Sequence, residues 1–284
     1  MAKAKTEKTA TDTKVAVVPK GGALALPNYG DQMVGAGWDN AGTGDFQIPF
    51  LNQLQALSPQ CTEGEDAYNA NAKPGMFMNS VTQELYDGSV HLLVALTKHS
   101  FVEWKPQDSG GGFVGEHALD SDVIKKAKET AKDPIDLRSA AGNELVETFQ
   151  LFCLIIDGPN ATEIKDQVVI SCSKTKIKRY KQTMTRLRTF KGSSRIPLFA
   201  HRLVMTATNE KNAAGKPYKN IQINPAIEND VAKSLLPSDS PLLELANGLR
   251  EALLSGTAKA NFDSAKAGAA QTNGKDEAAD EVFA

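Results

Sequence analysis

The chain has 284 residues, 41% of them hydrophobic, and a formal net charge of −2. That length and apolar content allow one large domain or two small ones with a real core. No apolar run is long enough to span a bilayer and no signal peptide is recognised at MAKAKTEKTATDTK, so no membrane partner is expected. Cys61, Cys153 and Cys172 are odd in number and widely spaced. They exclude a disulfide framework and point to a reducing cytoplasm, with Cys153 and Cys172 as small buried side chains.

Residues 1–45 are rich in Ala, Lys, Thr and Gly and read as a flexible N-terminal arm. WDNAGTGDF (38–46) is a Gly-punctuated loop. IPFLNQLQALSP (48–59) is a short apolar run, a strand or one helical turn, stopped at Ser58-Pro59. A β-rich block follows over 74–106, broken at the hairpin-type dipeptide Asp87-Gly88 and again at Lys98-His99. Within it SVHLLVALT is continuously apolar, which predicts a strand buried on both faces. FVEW (101–104) alternates and predicts a strand with one wet face. Gly110, Gly111 and Gly112 begin a flexible loop. LDSDVIKKAKETAK (119–132) reads as a helix ending before Asp133-Pro134.

ETFQLFCLIID (147–157) and QVVISCS (167–173) are the next strands. After them comes an unusual window. Between Gln167 and Asn209 there is no Asp or Glu, yet Lys174, Lys176, Lys178, Arg179, Lys181, Arg186, Arg188, Lys191, Arg195 and Arg202 all fall there. The remainder of the chain therefore sums to −12. Ile177, Tyr180, Met184, Leu187 and Phe190 recur every three or four residues, which is one apolar stripe on a helix. Ser173 or Thr175 could cap its start and Gly192 its end. Lys174, Lys178, Lys181 and Arg188 form a second stripe beside the apolar one. With no acids, this helix lacks the i,i+4 pairs of an ordinary solvated face, so its chemistry points to an anionic partner, nucleic acid above all.

PLFAHRLVMTATN (197–209) alternates as a strand, with YKNIQIN (218–224) as its hairpin partner. Ile227–Leu236 and Ser240–Leu254 read as helices, the second with Leu243, Leu245, Leu249 and Leu253 as core positions. From residue 256 a flexible acidic tail carries Asp276, Glu277, Asp280, Glu281 and Phe283, a sequence that could fold back on a cationic groove or dock a partner protein. The expected fold class is α+β. An antiparallel β-rich core over 46–255, OB-like or a distinct sheet, carries the basic helix and C-terminal helices between disordered termini.

No enzyme chemistry stands out. Gly110, Gly112 and Gly115 match G-x-G-x-x-G but lack the strand and helix that fingerprint needs. His91, His99, His117 and His201 show no metal-ligand spacing, and the pairs Glu63/Asp66 and Glu228/Asp230 sit in loops or at helix starts. Catalytic residues, metal and cofactors are therefore expected to be none. Single-stranded nucleic acid needs cations along a backbone path and flat rings for bases. The cations are Lys174 to Arg195. The stacking candidates are Trp104, Phe113 and Tyr180, with Phe101 facing away from Trp104. A helix reading the major groove is the rival use of the same element, but Gln182 is its only amide.

IPFLNQLQALSP, PGMFMNSVTQELYDG, FVEWKP, GGGFVGEH, SCSKTKIKRYKQT and the PLFAHRLVMTAT–YKNIQI pair resemble the single-stranded-DNA-binding proteins of tailed bacterial viruses. Within that group they are similar to the Drc type, an ssDNA-binding RNA polymerase cofactor. The likeness covers residues 38–225. It implies non-enzymatic ssDNA binding in viral DNA replication or transcription, in the host bacterial cytoplasm, on a core that need not be an OB barrel. It also implies a viral RNA polymerase or replication proteins as partners through the acidic tail, although Ala284 follows Phe283 where similar tails end. A polymerase cofactor with secondary DNA contact, and an ssDNA-annealing recombination protein, are the alternatives. A homo-oligomer is compatible with either.

Overall fold

The structure, a computed structural model, describes residues 47–212 and 214–262. The N-terminal arm and the tail residues Asp276, Glu277, Asp280, Glu281 and Phe283 lie outside the described residues. Among the described residues the fold is α+β, mostly antiparallel sheet with three α-helices.

Short strands β1 (Gln47–Ile48), β2 (Leu51–Gln53), β3 (Phe77–Asn79) and β4 (Leu85–Tyr86) precede the spine of the molecule, β5 (Ser89–Lys105). The 17 residues of β5 run straight through Lys98-His99, where the sequence suggests a break. Cross-strand contacts hold both residues: Lys98 pairs with Glu116 and the His99 ring stacks on Phe149. β6 (Gly112–His117) folds back on the far half of β5 through a turn. Gly110 and Gly111 there adopt φ of 91° and 62°, a left-handed backbone that glycine accepts without strain. The glycine run is thus a hairpin turn into a strand rather than a flexible loop.

α1 (Asp122–Thr130), β7 (Glu144–Ile156), β8 (Ile164–Ser173) and α2 (Thr175–Thr189) follow. Then come β9 (Leu203–Lys211), β10 (Pro217–Pro225), α3 (Pro241–Leu254) and β11 (Lys259–Ala260). The main sheet is ordered β10-β9-β5-β7-β8, with β6 off this path on β5. It is open, ending at β8 and β10, so the core is a distinct sheet and not an OB barrel.

The apolar run of β5 is buried on both faces, as its sequence predicts. Val90, Leu92 and Val94 pack with Leu151, Cys153, Ile170 and Cys172 under α2. Leu93 and Ala95 pack with Phe152, Leu154 and Val169 under Leu242, Ala246 and Leu249 of α3. α1 covers the far end through Phe101, Ile124, Ala127 and Leu145. The β2-β3-β4 sheet lies on the α2 side through Leu51, Phe77 and Tyr86. Gln55 bonds both the N–H and the C=O of Lys219, at 2.9 Å each, and so occupies part of the β10 edge.

Several sequence expectations need correction. Phe101, Val102 and Glu103 are all buried, so FVEW has no wet face; Asn143 and His117 satisfy the Glu103 carboxylate at 2.7 Å each. Leu198–Ala200 is a 3-10 turn and β9 begins only at Leu203. Residues 227–236 form turns, not a helix: Glu228 and Asn229 take φ of 50° and 55°, and the Arg202 guanidinium gathers the carbonyls of Ser234, Lys233 and Leu235. One C-terminal helix is therefore described, α3. Its core is Leu242, Ala246 and Leu249, whereas Leu245 is exposed. Residues 256–262 still belong to the described fold, because β11 pairs parallel with β1.

Leu93→Ala removes a fully buried side chain from the α3 face. The expected loss is about 2–5 kcal/mol, read as a lower urea midpoint with unchanged slope. A loss under about 1 kcal/mol would mean this face is not packed as described.

Candidate nucleic-acid interface

α2 crosses from the end of β8, at one edge of the sheet, towards β9 on the other side of β5. Its buried side is Tyr180, Thr183 and Leu187, with Ile177, Met184 and Phe190 half-buried against the same core. Thr183 belongs on this side because its hydroxyl donates to the Ile223 carbonyl at 2.8 Å, with the Arg179 carbonyl as the alternative acceptor at 3.1 Å. Phe190 ends the helix, two residues before Gly192. Neither Ser173 nor Thr175 caps the start. Lys174 does so at φ 51°, with no side-chain cap bond.

The cations divide by what they touch. Arg179 pairs with Glu210, which also accepts from Tyr218 at 2.7 Å and Asn220 at 2.9 Å. Arg186 bonds the side chain and carbonyl of Asn229, and Arg202 bonds four carbonyls including that of Pro159 at 2.7 Å. Arg179 and Arg186 thus hold the β9–β10 hairpin and the Asn229 turn against α2, whereas Arg202 ties residues 233–235 and Pro159 to the start of β9. Lys176 is half-buried over Cys172; burial lowers its ammonium pKa while the Cys172 thiol opposes that shift. Burial in turn pushes the Cys172 thiol up to about 12.

Lys178, Lys181, Arg188, Lys191 and Arg195 are exposed and make no ion pair among the described residues. The first three lie on one stripe of α2 with exposed Gln182 and Thr185. The last two extend it past the helix end. Exposed Lys174 stands at its start. Such a row suits the phosphates of an extended polyanion.

The proposed rings are placed elsewhere. Tyr180 is 9% exposed and stacks on Phe149 at 4.5 Å, so its ring belongs to the core. Trp104 and Phe113 meet edge to face at 5.9 Å, and Phe113 stacks on Phe262 at 4.3 Å. Trp104 and Phe262 pack with the α3 cluster, on the sheet face opposite α2. The structure therefore does not bring these two rings to the cations.

Other groups stand beside the cations that the sequence reading passed over. His99 stacks on Phe149 at 3.9 Å, and Lys181 Nζ lies 5.5 Å from the Phe149 ring. Lys128 Nζ of α1 lies 5.5 Å from the Phe101 ring. Period-two alternation puts His99 and Phe101 on one face, and LDSDVIKKAKETAK carries the lysines; only the pairing of β5 with β7 shows that they converge.

A family model described as Pam3 phage gp34-like protein matches residues 19–259. The chain belongs to that family. It is thus a phage protein, which is the coarser part of the resemblance seen in the sequence. No curated protein and no solved structure matches it. Among the described residues no helix is long and apolar enough to cross a membrane, and no group of His, Cys, Asp or Glu could hold a metal ion.

The Glu210 cluster has a defined pH signature. Burial alone would raise its carboxyl; hydrogen bonds from Asn220, Tyr218 and Arg179, with the guanidinium charge, outweigh it and bring the pKa down to about 2 from 4.5. A depressed carboxyl stabilises the fold above its unfolded pKa, and that stability is lost as the pH falls through the folded one. Glu210→Gln is expected to cost on the order of 2–3 kcal/mol at neutral pH. Its deficit against wild type in urea titrations should shrink as the pH drops from about 4.5 towards about 2. A deficit independent of pH would show that the carboxylate charge is not what holds Arg179.

Proposed function

We propose that this phage protein binds single-stranded DNA with little sequence preference and catalyses no reaction, serving viral DNA replication or transcription. The observation that carries this reading is the row Lys178, Lys181 and Arg188, extended by Lys191 and Arg195, exposed and without ion pairs among the described residues. An ordinary solvated helix face alternates acids and bases to gain i,i+3 and i,i+4 pairing. This face carries only one sign on a chain whose net charge is −2, so the excess is local. The resemblance to Drc-type proteins adds a viral RNA polymerase as a candidate partner.

Fluorescence anisotropy with labelled oligo-dT and its duplex, across a salt series, tests the reading. If the five cations neutralise about five phosphates, log K should fall against log salt with a slope of roughly −3.5 for the single strand. Lys178→Glu with Lys181→Glu and Arg188→Glu should weaken binding by roughly 10²-fold or more and flatten the slope, while thermal unfolding stays close to wild type. Equal affinity for the duplex would favour a groove-reading helix. Absence of binding to either form would make the row a protein-docking surface and refute the proposal.

A further inference from the structure

α1 and α2 pack on the same face of the sheet, at neighbouring positions along β5 and β7. Phe101, under α1, and His99 stand two residues apart on β5; Phe149, under α2, is the cross-strand partner of His99. Lys128 reaches the Phe101 ring from α1, and Lys181 reaches the Phe149 ring from α2, each at 5.5 Å. Two ammonium groups from different helices thus stand over adjacent rings of one strip of sheet, and His99 lies in that strip.

His99 is the outer ring of a stack of three. Its imidazole lies 3.9 Å from Phe149 with 17° between planes, and Phe149 lies 4.5 Å from Tyr180. Phe149 and Tyr180 are buried, whereas a third of the His99 side chain meets solvent. Its Nε2 bonds Glu147 Oε1 at 2.8 Å, which fixes the ring plane. Glu147 is the carboxylate in contact with the imidazole, and its charge counts against an anion at that one point. A ring locked in plane, backed by two more rings and flanked by cations, has the two components that single-stranded nucleic acid requires.

Resting on the ssDNA reading above, we propose that the strip between α1 and α2 is the base-binding part of the site, with a nucleobase stacking on His99 and the flanking phosphates meeting Lys128 and Lys181. The strand then lies with bases towards the sheet and backbone towards the helices. The α2 row continues its phosphate path. Trp104 and Phe113, on the other face, take no part.

The test uses the full chain, labelled oligo-dT and anisotropy across a salt series, with thermal unfolding as the folding control. His99→Ala should weaken binding roughly tenfold, within the range of one lost stacking contact, and leave the salt slope unchanged. His99→Phe keeps a flat ring without the Glu147 bond and should bind within about twofold of wild type. Lys128→Glu should weaken binding and reduce the slope by about 0.7, the signature of one lost phosphate contact. If His99→Ala and Lys128→Glu bind like wild type while the α2 charge reversal abolishes binding, the strip is not the base site and the ssDNA reading stands. If His99→Phe is as weak as His99→Ala, stacking is refuted. If His99→Ala does not fold, His99→Phe and Lys128→Glu decide by the same criteria. If wild type does not bind oligo-dT, both proposals fall.

Discussion

The ladder between β5 and β7 is the constraint on which the rest of the structure depends. It runs from His91–Ile156 to Trp104–Glu144, interrupted by one bulge near Val94–Leu96. Both strands are apolar on both faces where Leu92–Leu96 runs beside Leu151–Ile156, so neither face can be left to water there. At about 25 cal/mol per Å² of apolar surface, an uncovered face would cost far more than the net stability of a domain. Two covers are therefore obligatory. α3 supplies one through Leu242, Ala246 and Leu249; α2 supplies the other through Tyr180, Thr183 and Leu187. The position of the basic helix follows from this need. A helix docked by one narrow stripe must turn its remaining sides outwards, and on α2 those sides carry the lysines and arginines.

Charge is then sorted by geometry. Arg179, Arg186 and Arg202 meet Glu210, Asn229 and a set of carbonyls, where planar multidentate donors hold loops that would otherwise leave orphaned acceptors. The exposed row at Lys178, Lys181 and Arg188 has no such duty. This division explains why the acid-free window is wider than any single binding surface. Part of its charge is structural and satisfied from segments that the linear sequence holds far away.

Much of this was legible in the residues. The doubly apolar SVHLLVALT run placed β5 in the middle of a sheet, and the three-to-four spacing of Ile177, Tyr180, Met184 and Leu187 gave α2 and its buried side. Local signals misled where a tertiary contact overrode them. Lys98-His99 looks like a break, but Glu116 and Phe149 supply partners that the window does not show. Glu103 looks wet until Asn143 and His117 close over it. Residues 227–236 have helical composition, yet Arg202 draws their carbonyls to itself. Which rings lie near the cations was not legible, because strand register decides it. A ring's face follows from alternation, but its neighbours follow from pairing.

α2 is poorly adapted to being a helix on its own. Its first turn contains no acid, and Lys174, Lys176 and Lys178 crowd the end where the helix dipole is already positive. Its N-cap residue is a lysine at φ 51° and ψ −124°, a conformation that costs on the order of 1 kcal/mol or more for a residue with a side chain. Lys178 and Lys181 add a like-charged i,i+3 pair without an acidic partner, which costs a few tenths of a kcal/mol. A sequence shaped only for stability would place Ser or Asp at the cap and Glu in the first turn. Tertiary packing offsets these costs: the Tyr180–Phe149 stack, the Thr183 bond to Ile223 and the Arg179–Glu210 pair all tie the helix to the sheet. Local rules broken together, in one element and with one sign of charge, are the pattern expected of a surface that serves a ligand; a polyanion, as proposed above, would relieve this particular set of costs.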